Sequence, residues 1–230
     1  MSWLADIADY FFPRYCVVCG EALSGSEQFL CAKCLIQLPR TNLHLQSDND
    51  VEKNLWGKIP LGKASAYLYY HKKGMVSKLI ASLKYQGNAA LGVFLGRCMA
   101  TDLIATSFFS DIDFIVPLPL HKTRRKKRGY NQSEQLALGI SSVTNIPIRN
   151  DIVVRKRDTD TQTSKSEVQR WENLQDSFEC VSPEPLVGKH ILLVDDVMTT
   201  GATVVACADA FDKTRQLKIS VLTLSVASDM

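Results

Sequence analysis

The sequence predicts an α/β domain, with a central and mostly parallel sheet flanked by helices, preceded by a small metal-binding module. Three observations lead to this fold class. From Ala64 onward, short apolar segments typical of strands alternate with segments that have the apolar spacing of helices. One strand segment, Ile191–Val194, is apolar at every position, as strands buried on both faces of a sheet are. Near the N-terminus, four cysteines occur as two Cys-x-x-Cys pairs.

Length and composition limit the class of protein. The chain has 230 residues, enough for one large domain or two small ones. It is 46% hydrophobic and 22% charged, as ordinary globular proteins are, and its net charge of +3 is too small to indicate nucleic-acid binding by itself. No apolar run approaches the roughly 20 residues of a membrane-spanning helix. We therefore expect a protein that is not integral to the membrane.

The N-terminal segment Met1–Tyr15 does not have the pattern of a secretory signal. It lacks a basic start, and Asp6 and Asp9 interrupt its apolar residues. Apolar residues at positions 4, 7, 8 and 11 instead predict one short amphipathic helix. A cytoplasmic location is the expectation that follows.

The cysteine pairs predict a structural zinc site. Cys16 and Cys19 form the first pair and Cys31 and Cys34 the second, with eleven residues between the pairs. Each pair can present two thiolates from a tight turn, and four thiolates complete a closed tetrahedral zinc site without an open position for water. Disulfides and a redox Cys-x-x-Cys are the alternatives. Disulfides are unusual in a cytosolic chain, and a redox motif normally lies in a βαβ unit, which this segment lacks.

The rest of the chain divides at about residue 60. Residues 39–63 are polar and rich in helix and strand breakers, and they predict a linker with little structure. We predict an N-terminal helix, zinc module and linker in residues 1–60, and the α/β domain in residues 61–230. The predicted strands of that domain are Ala64–Tyr70, Phe114–Val116, Ile152–Val154, Ile191–Val194 and Leu217–Leu224. The predicted helices are Met75–Tyr85, Ala90–Phe108, Gln132–Ser142, Ser166–Leu174 and Val204–Lys213.

The segment Ile191–Thr203 carries the strongest functional signal. Asp195 and Asp196 follow the buried strand, at the carboxyl end where open α/β sheets place their ligands. The small turn Thr199–Thr203 comes next, and its backbone N–H groups at a helix N-terminus would bind a phosphate. Carboxylates accept hydrogen bonds from sugar hydroxyls, so the pair and the turn together fit a ribose 5-phosphate. The alternative, a buried strand and a capped helix, leaves two adjacent carboxylates unexplained.

A basic segment, Lys122–Arg128, has six basic residues in seven positions and follows the strand at Phe114–Val116. We predict that it forms a basic loop at the carboxyl end of that strand, where a pyrophosphate would lie. Arginine suits bidentate contacts to phosphate, and Arg128 is the first choice for this role, with Arg124 beside it. A solvated run of surface charge and a nucleic-acid-binding patch are the alternatives.

A long polar segment, Arg155–Phe178, predicts a lid. Loops of this length in a compact domain usually have a function, and a closing lid would exclude water from a reactive sugar cation. An ordinary loop that ends in a helix is the alternative. The polar and basic residues of this segment include Arg157, Thr159, Gln162, Ser164, Arg170 and Asn173.

Taken as a whole, Ile191–Thr203 resembles the phosphoribosyl-pyrophosphate (PRPP) binding loop of type I phosphoribosyltransferases. The wider pattern resembles the ComF family of bacterial competence proteins. It comprises the paired Cys-x-x-Cys motifs, Val-Pro-Leu-Pro-Leu-His with a basic run into Arg-Gly-Tyr-Asn-Gln, Arg-x-Arg-x-Thr with Gln162, Arg170 and Asn173, and the PRPP loop. The resemblance covers nearly the whole chain, residues 39–63 being the least informative part.

The resemblance implies a type I phosphoribosyltransferase fold behind a zinc module, in a protein of DNA uptake and natural transformation. It implies PRPP as a ligand and other DNA-uptake proteins as partners. A working phosphoribosyltransferase would use Mg²⁺ with PRPP, and the basic segment Lys122–Arg128 points to single-stranded DNA as a further partner. The expected PRPP-binding residues are Asp195, Asp196, Val197, Met198, Thr199, Thr200, Gly201, Ala202, Thr203, Arg124 and Arg128. Asp195, Asp196 and Arg128 are the candidates for catalysis. The alternative function is an active phosphoribosyltransferase of nucleotide metabolism with an unidentified acceptor, and the sequence leaves turnover undecided.

Overall fold

A computed structural model describes residues 13–156, 177–211, 214 and 216–227. Its strands are β1 (Leu61–Tyr70), β2 (Phe114–Pro117), β3 (Val153–Arg155), β4 (Phe178–Cys180), β5 (His190–Met198) and β6 (Lys218–Ala227). Its α-helices are α1 (Ala32–Ile36), α2 (Asp50–Leu55), α3 (Met75–Tyr85), α4 (Ala89–Leu103), α5 (Lys122–Arg128), α6 (Gln132–Thr144) and α7 (Ala202–Asp209). Short 3₁₀ helices occur at Leu43–Leu45, Ser107–Phe109 and Glu184–Leu186.

A four-stranded parallel sheet with the order β1-β6-β5-β2 forms the centre of the domain. Helices cover both of its faces, which confirms the predicted α/β class. Along β5, Ile191 and Leu193 point to one face, while Leu192 and Val194 point to the other, and all four are fully buried. Helices α3, α4 and α6 pack on the face of Leu192, and α2 and α7 pack on the opposite face.

Two glycines allow α4 and α6 to approach each other at backbone distance. A Cβ atom at Gly96 would overlap the carbonyl oxygen of Leu136, and one at Gly139 would overlap that of Val93. Glycine costs about 1 kcal/mol relative to alanine inside a helix. The close packing of these helices requires it nevertheless. Because α6 begins at Gln132, this contact also positions the residues at the start of α6.

The prediction that residues 39–63 have little structure is wrong. They contain α2 and the start of β1, and Val51 and Leu55 of α2 are fully buried against the sheet. A capping box starts the helix: the Asn49 side chain accepts hydrogen bonds from the backbone of Val51 and Glu52, and Glu52 accepts one from the backbone of Asn49. The Asn-x-x-Glu spacing was therefore a local signal for this helix.

The predicted basic loop is also wrong, because Lys122–Arg128 forms the helix α5. The His121 side chain accepts a hydrogen bond from the backbone N–H of Thr123 at the first turn. Gly129, with φ of +83°, ends the helix, and its N–H donates to the Arg125 carbonyl. Lysine and arginine are good helix formers, so a short capped run of them is compatible with a helix.

Other elements differ from the prediction mainly in their extent. Strand β5 continues past Val194 to Met198, so the two aspartates lie within its last part rather than after it. The predicted helix Ala90–Phe108 ends at Leu103 and is followed by a 3₁₀ turn. Strand β3 pairs antiparallel with β4, outside the main sheet, and Lys156 donates a backbone hydrogen bond to Ser177 beside this pair.

Some predictions fall outside the described residues. They are the N-terminal amphipathic helix, the helix Ser166–Leu174 and the polar residues from Arg157 to Asn173 of the proposed lid. Within the described part of the chain, every helix is too short or too polar to cross a membrane.

Candidate functional site

A cleft of about 280 Å³ opens at the carboxyl ends of β2 and β5. Strand β2 pairs with β5 only as far as Pro117 opposite Val194, and the Leu118 N–H then bonds to the Val194 carbonyl. Strand β5 continues beyond this point while β2 turns away. The side chains of Asp195 and Asp196 therefore line an open space instead of packing against a neighbouring strand.

The two aspartates have different partners. Asp195 accepts hydrogen bonds on one oxygen from the Ser133 hydroxyl, at 3.0 Å, and from the Asp196 backbone N–H, at 2.8 Å. Asp196 forms an ion pair with Lys84 of α3, with 2.8 Å between Oδ2 and Nζ. The Lys84 side chain is 22% exposed and that of Asp196 11% exposed, so this ion pair is largely shielded from water.

Burial and charge alter the proton affinity of these groups. Burial, and then the neighbouring charge of Asp196, raise the pKa of Asp195 to about 7. Burial lowers the pKa of Lys84, but the charges of Asp196 and Asp195 outweigh it and leave that pKa above its usual value. The site thus holds a cation beside two carboxylates, one of which titrates near neutral pH.

The Thr199–Thr203 turn is only partly directed into the cleft. Thr199 and Thr203 line it, as does Val197 of the preceding strand. Gly201 has φ of +74° and stands immediately before α7, which favours glycine at this position. Met198 and Ala202 are buried in the core, and Thr200 is exposed. The side chains of Met198, Thr200 and Ala202 therefore do not line the cleft.

Helix α5 divides its basic residues between two surfaces. Arg124 and Arg128, one helical turn apart, line the cleft and are half-buried. The guanidinium of Arg128 donates to the Gln132 side chain at 2.9 Å and lies 5.8 Å from the ring centre of Tyr85. The remaining basic residues, Lys122, Arg125, Lys126 and Lys127, are exposed. Arg125 forms an ion pair of 2.6 Å with Glu134.

Several residues of the cleft were not among the predicted site residues. Lys84 is the most consequential, because it neutralises Asp196, and no local pattern in Met75–Tyr85 distinguishes it from a surface lysine. Asn131 and Ser133 belong to the start of α6, where Asn131 caps the helix and also donates to the Leu118 carbonyl at 2.9 Å. Because they directly follow the basic segment in the sequence, Asn131 and Ser133 could have been predicted to lie near the same site. Gln132 and Arg155 also line the cleft.

The four predicted cysteine ligands come together in the N-terminal module. The Sγ atoms of Cys16, Cys19, Cys31 and Cys34 all lie within 4.8 Å of one another, and those of Cys19 and Cys31 are 3.7 Å apart. Gly20, with φ of +77°, completes the first turn by donating to the Cys16 carbonyl. This geometry fits a tetrahedral metal site, in which a metal–sulfur distance of about 2.3 Å places the sulfurs about 3.8 Å apart.

The proximity of the four thiols alters their pKa values and disfavours ionising all four without a cation. Burial, followed by hydrogen bonds with the other three cysteines, raises the pKa of Cys34 far above its usual value. Burial would also raise the pKa of Cys16, but hydrogen bonds from the backbone of Cys19, Cys31 and Val18 lower it to about 6. Four thiolates this close repel one another, and a divalent cation among them removes that conflict. The donor set therefore fits a metal ion.

Comparisons with known proteins agree with this architecture. A family profile described as "Phosphoribosyl transferase domain" matches residues 126–225. The chain is 32% identical to Competence protein F of Haemophilus influenzae, over 84% of this chain and 75% of that protein. It is 31% identical to DNA utilization protein YhgH of Escherichia coli K12, over 84% and 82% of the two chains. It is 26% identical to Competence protein ComFC of Bacillus subtilis, over 70% and 62%. The chain therefore belongs to the ComF family, with a phosphoribosyltransferase fold behind a four-cysteine module.

Proposed function

We propose that this protein binds PRPP with Mg²⁺ in the cleft and acts in the uptake of DNA during natural transformation. One observation supports PRPP binding: the acidic pair of β5, the threonines of the following turn and two arginines of α5 all line the same cleft. These are the groups that a sugar with phosphates at both ends would need. The names of the relatives, which refer to competence and DNA utilization, support the role in DNA uptake.

Each group has a distinct role in this proposal. The turn Thr199–Thr203 at the start of α7 binds the 5-phosphate through backbone N–H groups and hydroxyls. Asp195 and Asp196 accept hydrogen bonds from the two ribose hydroxyls. Arg124 and Arg128 bind the pyrophosphate, and Mg²⁺ arriving with PRPP would neutralise part of its charge. If turnover occurs, Arg128 stabilises the leaving pyrophosphate electrostatically.

We further propose that the four-cysteine cluster holds zinc. Thiolates are soft ligands, and a closed set of four of them is typical of structural zinc. The first cysteine pair comes from a turn and the second from the start of α1, so the ion would cross-link two parts of a segment that has little apolar core of its own. With four protein ligands the ion has no catalytic role.

We also propose partners and a cytoplasmic location, which the family membership supports. The exposed basic residues of α5 are proposed to contact the phosphates of single-stranded DNA, and other DNA-uptake proteins to act with this one in the cytoplasm. The division into a zinc module and linker in residues 1–60 and a phosphoribosyltransferase domain in residues 61–230 remains our proposal.

Calorimetric titration with Mg-PRPP tests the central claim. Asp195→Asn combined with Asp196→Asn removes the charge of both diol acceptors, and we expect a loss of about 2–4 kcal/mol in binding free energy, the scale of charge-assisted hydrogen bonds. Asp50→Asn is the matched control, because Asp50 is an exposed carboxylate paired with Lys53 outside the cleft. Equal affinities for the double variant and the control would contradict the proposal.

A further inference from the structure

Each carboxylate of the acidic pair has one oxygen that the protein already holds. Oδ1 of Asp195 accepts the Ser133 hydroxyl and the Asp196 backbone N–H. Oδ2 of Asp196 forms the ion pair with Lys84, at 2.8 Å. In the described part of the chain, neither Oδ2 of Asp195 nor Oδ1 of Asp196 accepts a hydrogen bond. Both aspartates line the cleft, so each offers one remaining acceptor oxygen to a ligand.

The Ser133 hydroxyl is held in place by the start of α6. The Ser133 side chain is buried, and its backbone N–H donates to the Asn131 side chain at 3.2 Å. Asn131 in turn donates to the Leu118 carbonyl, directly after the end of β2, at 2.9 Å. Because both residues are tied to the backbone in this way, the hydroxyl approaches Asp195 from a fixed position.

The position of Lys84 is fixed by the end of α3. The carbonyl of its neighbour Leu83 accepts hydrogen bonds from the Tyr130 hydroxyl at 2.6 Å and from the Gln132 amide at 3.3 Å. These bonds tie the last turn of α3 to the segment between α5 and α6. A largely buried ammonium is costly without a partner, and the ion pair with Asp196 offsets that cost.

We propose that Lys84 and Ser133 are positioning residues for ribose recognition, each anchoring one oxygen of a carboxylate so that the other oxygen meets a ribose hydroxyl. These roles rest on the proposed binding of PRPP in the cleft and name the residues that prepare that site for its sugar. An acceptor that is already fixed loses less conformational freedom when a hydroxyl binds to it. The ammonium also offsets the repulsion between the two carboxylates, which a neutral side chain would not do.

The competing role for Lys84 is direct contact with a phosphate of PRPP, since its side chain lines the cleft. The ion pair favours the positioning role, because moving the ammonium to a phosphate would leave the buried Asp196 carboxylate unpaired. Arg124 and Arg128 already provide cations for the phosphates. Pyrophosphate separates the two roles, because it has phosphates and no hydroxyl.

The test is a calorimetric titration of the full-length protein with Mg-PRPP, ribose 5-phosphate and Mg-pyrophosphate. Lys84→Met and Ser133→Ala should each weaken the two ribose ligands about tenfold, the scale of one charge-assisted hydrogen bond, and leave Mg-pyrophosphate unchanged. Lys84→Arg keeps the cation and should restore most of the affinity. Lys53→Met and Ser110→Ala are the controls, because both residues are exposed and lie outside the cleft.

Double-variant cycles identify the carboxylate through which each residue acts. Lys84→Met should have little effect on Mg-PRPP affinity in an Asp196→Asn background and its full effect in an Asp195→Asn background. Ser133→Ala should show the opposite dependence. General loosening of the structure would lower the affinity by the same factor in both backgrounds. Ser133→Ala removes only one hydroxyl, so its cycle decides the question even if Lys84→Met does not fold.

Three results would overturn the positioning roles. The first is an equal loss of Mg-pyrophosphate and Mg-PRPP affinity in Lys84→Met, which would make Lys84 a direct phosphate ligand. The second is wild-type affinity for ribose 5-phosphate in both Lys84→Met and Ser133→Ala. The third is the absence of any difference between the two backgrounds of the cycles.

The failure of the proposed function gives a different result. If the wild type binds ribose 5-phosphate and not Mg-PRPP, PRPP binding in the cleft is wrong, and the same cycles with ribose 5-phosphate still decide the roles of Lys84 and Ser133. If Mg-PRPP binds equally well to the wild type and both variants, the proposed function stands and the positioning roles are wrong. A wild type that binds neither ribose ligand contradicts both.

Discussion

The four-cysteine module and the parallel sheet are stabilised by different kinds of interior. In the sheet, Ile191–Val194 are fully buried apolar side chains between two layers of helices, and burial of this kind contributes about 1.5–3 kcal/mol for each large side chain. In the module, Cys16, Cys31 and Cys34 are themselves buried, with Val18, Leu23 and Leu30 around them. Thiols thus occupy much of the interior of the module, so we expect its stability to depend on the zinc ion that we propose they bind.

The two regions are nevertheless in contact. Phe29 of the module lies 5.5 Å from Phe94 of α4, measured between ring centres, and Lys78 of α3 donates to the Val18 carbonyl at 2.5 Å. Helix α3 also carries Lys84, which pairs with Asp196. One side of α3 therefore packs against the four-cysteine module, while the end of α3 contributes to the cleft. The buried residues Val18, Leu23 and Leu30 of the module also belong to the same hydrophobic cluster as Leu79 of α3 and Leu95 of α4, so the two regions share one core.

The largest effect is expected from the module. Cys31→Ser removes one of four ligands, and structural zinc sites of this type contribute on the order of 10 kcal/mol to folding. Protein purified without added zinc should contain about one equivalent, and the variant should contain only a small fraction of that, by elemental analysis. Cys98→Ser is the control, since Cys98 lies outside the cluster. A full metal complement in Cys31→Ser would exclude the four-cysteine site.

The sheet domain can be perturbed without touching the module. Gly139→Ala places a methyl group against the Val93 carbonyl, and we expect the free energy of unfolding to fall by about 2–3 kcal/mol, the cost of overpacking. Urea denaturation measures this change. Leu138→Ala, at a 47% exposed position of the same helix, should change stability by less than about 0.5 kcal/mol. Zinc content should remain that of the wild type in both variants, and a loss of zinc would show that the two regions unfold together.

Asp195 provides a pH-dependent test of the cleft. Its pKa in the folded protein, about 7, is above the ordinary value of 3.8, so the folded state binds more protons than the unfolded chain between these values. Wild-type stability should therefore fall as the pH rises through this range. Asp195→Asn cannot ionise and still accepts from Ser133, so we expect it to exceed the wild type by about 1–2 kcal/mol at pH 8 and by much less at pH 5.

Asp113 is the matched control for this measurement, because its pKa is shifted in the opposite direction. The backbone N–H of His190 and then the Lys189 ammonium hold the pKa of Asp113 below its usual value. The stabilising contribution of Asp113 is fully present above the pKa that this residue has in the unfolded chain. It is lost as the pH falls through the lower pKa of the folded protein. Asp113→Asn should therefore destabilise the protein at pH 8. A destabilising effect of Asp195→Asn at the same pH would contradict the cause assigned to the Asp195 shift.

The smallest effect concerns the exposed face of α5. Replacing Lys122, Lys126 and Lys127 by Gln should flatten the salt dependence of single-stranded DNA binding, by about 0.7 in log–log slope for each DNA phosphate that the variant no longer neutralises. Mg-PRPP affinity should change little, because Arg124 and Arg128 remain in the cleft. Replacing the exposed Lys33, Lys53 and Lys58 by Gln removes the same charge elsewhere. If the salt dependence of DNA affinity has the same slope in the two triple variants, the exposed lysines of α5 do not bind DNA.

Much of the site could be predicted because its determinants are local in sequence. The strand Ile191–Val194, the acidic pair and the Thr-rich turn follow one another in one continuous segment. The cysteine spacing depends only on one tight turn and on the start of α1. The α/β class followed from alternating periodicities, which each element carries by itself. Even the helix at residues 50–55, which we did not expect, has its capping box within four residues.

The tertiary structure decided what depends on contacts between distant segments. The pairing of Lys84 with Asp196 arises because α3 packs over the end of β5, and the sequence of α3 is compatible with a surface lysine at that position. Which basic residues of α5 face the cleft and which face the solvent depends on the orientation of the helix relative to β5. A groove also lies beside the cleft, because β1, β6 and α3 end at the same edge. Local sequence determines which elements form, whereas their relative placement depends on how all the apolar faces are buried at once.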